Sequence, residues 1–227
     1  MQTQVALNGA GAALLCIDLQ EEHRRDERLL TVGYDLVLAN VQSLQAAARR
    51  SDVPVFHLAY IVDVASATTR PFHPRTEDGR SAFSDKDDPN SSICPEVAPV
   101  GGEALFIKTE ASGFGDGTLL PVLRDRGIDW LIVCGVWTEA CIDATVKDAL
   151  KHGFRVLLVK DACGSGSVAM HQTGILNLAN RLYGGAVVST DAACRLIAGH
   201  SASGWSPRSP VPIRFTFETA EALYAAL

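Results

Sequence analysis

A chain of 227 residues, 47% hydrophobic and 20% charged, has the size and composition of one globular domain with a sizeable core, and excludes disordered and collagen-like classes. The formal net charge of −6, with no Lys/Arg-rich run, argues against nucleic-acid binding, so the expected partner is a small molecule. No window is long and apolar enough to span a bilayer and Met1 to Gly11 lacks a signal-peptide pattern, so no membrane association or secretion is expected.

In chain order, the predicted strands are Ala12–Ile17, Val53–Leu58, Ala104–Ile107, Trp130–Cys134, Arg155–Val159 and a short Gly185–Val188. Helical spacing of apolar residues predicts helices over Tyr34–Arg50, Gly117–Arg126, Cys141–His152 and Val168–Leu182, with Gly127 and Gly153 placed as C-terminal caps. The strand runs are apolar throughout rather than alternating, as in strands covered on both faces, so a mostly parallel sheet wrapped by helices is expected. Val62 to Val100, rich in Pro, Asp, Ser and Gly, is longer than a connection needs and reads as a lid or binding wall that sets specificity. The tail from Ser201 reads as an extended linker, SASGWSPRSPVP, followed by a short amphipathic helix in FETAEALYAAL that docks on its own domain or on a neighbouring subunit. The expected division is therefore a domain over 1–200 and a C-terminal extension over 201–227.

Six cysteines lack CxxC or zinc-like spacing, and several lie in strand runs of a chain large enough to fold without staples. A reducing, cytoplasmic setting is expected, with no metal and no cofactor. Three residues sit at the carboxyl ends of strands, where open parallel sheets bind ligands. Asp18 follows LLCI, Lys108 follows LFI, and Cys141 opens a helix after LIVCGVWTEA. A cysteine at a helix N-terminus beside a lysine is expected to have a lowered thiol pKa, and a nearby carboxylate can take the thiol proton.

The segment CGVWTEACIDATVKDALKHGFRVLLVKDAC, with LLCIDLQ and FIKTEASGF in the same order and spacing, resembles the signature of isochorismatase-like cysteine hydrolases, such as N-carbamoylsarcosine amidases and ureidoacrylate, maleamate and biuret hydrolases. The resemblance covers about Ala12 to Ala198. It implies a three-layer αβα, Rossmann-like domain with a six-stranded parallel sheet in the order 3-2-1-4-5-6, and a homo-oligomer, dimer or tetramer, whose neighbours help close the pocket. It implies further that Asp18 is general base and acid, that Lys108 orients and polarises, and that Cys141 is the nucleophile. The backbone amides of Trp137 and Cys141 would form an oxyanion hole around a cis Val136–Trp137 peptide. The expected reaction cleaves the C–N bond of a small amide, ureido or carbamoyl compound through a thioester, with Trp137, Glu139, Tyr60 and Phe114 as pocket candidates.

Singly, a strand-end Asp is usually a cap, a Lys solvated and a Cys a small buried hydrophobe; together in matching contexts they point to chemistry. Cys16, Cys134 and Cys163 are assigned to packing, Cys94 and Cys194 to no role, and His171 to capping or packing. His57 stands where nicotinamidases carry different metal-binding spacing, and His73 and Asp63 are wrongly spaced for a site, so nicotinamidase chemistry is not expected. Two alternatives stay open: a vinyl ether hydrolase of the isochorismatase type, which often lacks the cysteine, and a catalytically silent binding or scaffold protein on the same fold.

Overall fold

Alternate residues of the central strands point to opposite faces, and both faces are apolar. A computed structural model describes residues 1–7 and 11–227. The parallel strands are β2 (Gly11–Ile17), β3 (Val55–Tyr60), β4 (Ala104–Lys108), β5 (Ile128–Val136), β6 (Arg155–Gly164) and β7 (Ala186–Val188). In space they run β7-β6-β5-β2-β3-β4, so the chain steps outward from β2 in one direction and then from β5 in the other. The helices are α1 (Glu22–Arg25), α2 (Tyr34–Arg50), α3 (Leu119–Asp125), α4 (Asp143–Lys151), α5 (Val168–Ala179), α6 (Thr190–Ile197) and α7 (Ala220–Ala225).

Leu14 and Cys16 of β2 join Val41 and Leu44 of α2 and Leu196 of α6 in one core, while Leu15 and Ile17 face the other way towards Leu123 of α3, Val146 of α4 and Ile175 of α5. This two-sided burial is what the unbroken apolar runs required.

The sheet is larger than expected and not purely parallel. Two further strands, β1 (Gln2–Val5) and β8 (Ala202–Trp205), extend it to eight in the order β1-β8-β7-β6-β5-β2-β3-β4, with β8 antiparallel to β7 and β1 antiparallel to β8. The expectation of six parallel strands is corrected accordingly. Both added strands are four residues long and partly exposed, which leaves too little apolar pattern to read, and together they cover an edge that β7 would otherwise present unpaired. Part of the stretch read as a linker is thus strand, with Trp205 in the core. Beyond it, α7 packs on α5 of the same chain, and Ala220 and Leu227 are buried.

One glycine joins this frame to the chemistry. Gly135, near the end of β5, has φ 124°, and a Cβ there would stand 2.0 Å from the carbonyl oxygen of Ile17. Only glycine lets β5 approach β2 this closely immediately before the turn that carries Cys141.

Candidate active site

The ends of β2, β4 and β5 deliver three ionisable side chains to one point. Asp18 follows β2; its N–H donates to the Leu58 carbonyl (2.9 Å), and its φ of 52° turns the chain out of the sheet. Left-handed backbone at a non-glycine residue is uncommon, best tolerated by Asp and Asn, and concentrated at functional positions. Two residues on, buried Gln20 locks this bend: its Nε2 donates to the carbonyls of Tyr60 (3.0 Å) and Ser91 (2.8 Å), and its Oε1 accepts from the Tyr60 N–H.

Lys108, the last residue of β4, is 2% exposed. Its ammonium lies 2.8 Å from Asp18 Oδ2 and donates to Cys141 Sγ (3.3 Å) and to the Glu110 carbonyl (3.2 Å), which engages all three donors. The same nitrogen lies 4.5 Å from the centre of the Tyr60 ring. Burial alone would lower its pKa, but the facing Asp18 and Cys141 outweigh that and raise it, so Lys108 is a cation. Asp18 Oδ1 is buried and accepts no hydrogen bond from the described residues.

Cys141 does not open α4 as the sequence suggested. It sits in a wide, π-type turn, Thr138–Ile142, that precedes the helix and curls back on Trp137, whose carbonyl accepts from the N–H groups of Ala140 (3.0 Å) and Ile142 (3.2 Å). Such turns recur at functional sites. The Val136–Trp137 peptide is cis. The expected lowering of the thiol pKa is also corrected: burial, then the Asp18 charge, push Cys141 up, against the opposing pull of Lys108. The resting group is a neutral thiol beside a lysine cation.

Above these residues opens a cavity of about 280 Å³ whose walls are Tyr60, Phe83, Leu29, His23, Trp137 and Arg70, with Asp18 and Cys141 lining it below. Of the pocket candidates, Tyr60 and Trp137 are therefore in place. Phe114 is not: it is buried against Phe154 (ring centroids 6.0 Å apart) and His152. Glu139 also turns away, accepting from Ser165 Oγ (2.6 Å).

Several wall residues went unrecognised in the sequence. Glu22 accepts from both the N–H (2.8 Å) and the hydroxyl (2.6 Å) of Ser84, which ties the Val62–Val100 segment to the turn after Asp18. His23 is buried, which lowers its pKa despite the neighbouring Glu22, and it packs edge-on against Tyr34. Arg70 Nη2 donates to the Tyr60 hydroxyl (3.0 Å). A charged QEEH run beginning two residues after the strand-end Asp18 is the available signal.

The histidines weighed as metal ligands have other partners. His57 Nε2 pairs with Glu103 (2.8 Å), His73 Nε2 with Ser81 (2.6 Å), and Asp63 with Lys86 (2.8 Å). Among the described residues the cluster nearest to a metal set is Glu21, Cys94 and Glu96, but Arg24 already bonds both carboxylates. No helix among the described residues is long and apolar enough to cross a membrane.

Comparison with known proteins gives the family of the chain. The family described as "Isochorismatase domain" matches residues 12–192. An uncharacterised isochorismatase family protein, YddQ, of Bacillus subtilis (strain 168) is 30% identical over 67% of this chain and 77% of its own length. The N-carbamoylsarcosine amidase of an Arthrobacter species is 29% identical over 73% of this chain and 62% of its own. A cysteine hydrolase structure from Pseudomonas syringae pv. phaseolicola 1448A superposes with a TM-score of 0.73 at 25% identity, covering 82% of this chain and 92% of that one. With the match spanning every strand end that carries Asp18, Lys108 and Cys141, the chain belongs to the isochorismatase family.

Proposed function

We propose that the protein is a cysteine-dependent amidohydrolase that cleaves the C–N bond of a small amide, ureido or carbamoyl compound. The observation that carries this reading is the Lys108 ammonium, held at once against Asp18 Oδ2 and Cys141 Sγ beside the cavity. The amidase named among its relatives supports the same class of reaction.

In the resting site the thiol is neutral and Lys108 is charged, so attack begins when Asp18 takes the Cys141 proton. The Lys108 donor then faces a thiolate and stabilises it in a site where water contributes little. The sulfur adds to the substrate carbonyl, and the backbone amides of Trp137 and Cys141 receive the developing oxyanion. Asp18 returns the proton to the departing nitrogen, which leaves as ammonia or an amine, and a thioester remains. A water molecule deprotonated by Asp18 adds to the thioester carbonyl, and collapse restores the thiol and releases the acid. A carbamoyl substrate would give carbamic acid, which decomposes to carbon dioxide and ammonia.

Aromatic and aliphatic walls suit a compact substrate with an apolar body and its amide end at Cys141. The proposal includes a cytoplasmic setting, supported by six cysteines without a disulfide, and association of copies, supported by exposed Leu105 and Ile107 on edge strand β4. The direct test is to quench the enzyme during turnover of candidate amides and weigh it. An acyl adduct on the peptide containing Cys141 is expected; turnover with no adduct, under conditions that accumulate intermediates, contradicts the covalent route.

A further inference from the structure

The nucleophile turn is connected to the C-terminal helix by an unbroken series of side chains. Thr138, three residues before Cys141 and fully buried, has its hydroxyl 3.0 Å from the Gly164 carbonyl and 2.8 Å from His171 Nδ1. His171, in the first turn of α5, has its Nε2 3.0 Å from the hydroxyl of Tyr224 on α7, with the rings edge to face at 5.4 Å. Tyr224 is fixed in turn by Lys160 of β6, whose ammonium donates to its carbonyl (3.2 Å) and lies 4.9 Å from its ring centre. Close packing of α5 on the turn depends on Gly174, where a Cβ would come 2.9 Å from Thr138 Cγ2.

Donor and acceptor counting over these three hydrogen bonds places their protons. A carbonyl only accepts, so the single Thr138 hydroxyl proton goes to Gly164. Nδ1 of His171 must then carry hydrogen and donate to Thr138 Oγ1. A neutral ring with hydrogen on Nδ1 leaves a lone pair on Nε2, and the Tyr224 O–H fills it. The charged and titratable groups around the ring are Lys160, Asp161 and Cys163 of β6 and Tyr224 of α7. Burial holds His171 down to about 4, against the backbone carbonyl of Lys160 and the charge of Asp161, which favour the protonated ring.

We infer that Tyr224 is a positioning residue for the proposed reaction: by donating to His171 Nε2 it anchors the imidazole in the tautomer that Gly164 and Thr138 dictate, and through Thr138 it holds the turn bearing Cys141. The inference rests on the reading of Cys141 as nucleophile. It gives a role in the active site to a helix that lies outside the residues 12–192 shared with the family. Without the Tyr224 hydroxyl, the lone pair on buried Nε2 has no donor, the ring is held against Thr138 less firmly, and the turn loses support at one of its two anchors.

The test uses the full chain, with iodoacetamide as a probe of Cys141 that needs no known substrate and nitrogen-15 NMR of labelled histidine rings as a readout of tautomer. Tyr224→Phe keeps the ring packing and removes only the hydroxyl. The expected results are an Nδ1–H tautomer of His171 in the wild type, and in Tyr224→Phe a His171 titration moved upward and alkylation of Cys141 slowed by about three- to tenfold, the size of one lost neutral hydrogen bond. Thr138→Val breaks the series from the other end and is expected to slow alkylation similarly, with the double variant little slower than either single one. An Nε2–H tautomer in the wild type, or unchanged alkylation in Tyr224→Phe, overturns the inference. Because alkylation is read separately from turnover, failure here leaves the covalent mechanism standing, and failure of that mechanism is seen instead in Cys141→Ala.

Discussion

The Lys108 ammonium stands 3.3 Å from the sulfur of Cys141 while it is paired with Asp18 at 2.8 Å, so one buried cation serves both the base and the nucleophile. Removing it strands a buried carboxylate beside a thiol that must ionise. Lys108→Met is therefore expected to lower kcat by at least about a hundredfold, in the range found when one preorganised donor is lost. It should also cost about 3 kcal/mol or more of stability, since breaking a buried pair leaves an uncompensated charge. Denaturant unfolding and turnover on the same preparation check both, and a variant of native stability and near-native activity contradicts the assigned role.

Burial and Asp18 both raise the Cys141 thiol. Its thiolate absorbance should therefore appear at higher pH than that of an ordinary cysteine, whose pKa is about 8.5. Asp18→Asn removes the negative charge and should move that titration down while abolishing turnover, because the base is gone. A spectroscopic pH titration of the two proteins decides the matter; an upward movement in Asp18→Asn would reverse the assigned electrostatics.

Acid stability should fall in two stages. Burial depresses His171 to about 4, so between its ordinary value near 6.5 and that value the unfolded chain binds more protons than the folded one. The stability it contributes is present above about pH 6.5 and is lost as the pH falls through its folded value. Glu21, held by Arg24 and Arg25, and Glu103, which burial would raise but Arg49 and His57 pull down, both lie at about 2. Their contribution is present above the ordinary carboxylate pKa and disappears as the pH approaches 2. Urea midpoints measured from pH 7 to pH 2 should decline across both windows, and His171→Gln should flatten the first.

Gly135→Ala is expected to destabilise the protein by about 3 kcal/mol or more, combining overpacking with a positive φ. Its Cβ would meet the Ile17 carbonyl at 2.0 Å, one residue from Asp18. A melting temperature close to that of the wild type would show that β2 and β5 separate more easily than their packing implies.

The parallel strands are readable because each appears as an uninterrupted apolar run, buried on both faces in all but edge strand β4, where Leu105 and Ile107 are exposed, and strand ends in a parallel sheet share one edge. That is why Asp18, Lys108 and Cys141 were identifiable together although they are far apart in the chain. Four-residue β1 and β8 lack such a run. The cavity wall was less readable because it is set by long-range bonds: Ser84 reaches Glu22, and Gln20 reaches Ser91. Nothing near Ser84 in sequence announces that partner. Phe114 and Glu139 show the opposite error, since nearness in sequence to Lys108 or Cys141 does not decide which way a side chain points. The thiol pKa departs from the sequence expectation for a related reason: the lysine is visible in sequence, but the burial that raises the thiol is not.

The central claim is that Cys141 is the covalent nucleophile of an amide-cleaving enzyme. The measurement that tests it most directly is ammonia release from a panel of small carboxamides, ureido and carbamoyl compounds, with wild type and Cys141→Ala compared side by side. Release by the wild type from at least one compound, abolished in the variant, is the predicted result; release that persists in Cys141→Ala, or no release by the wild type from any compound of these classes, would contradict it.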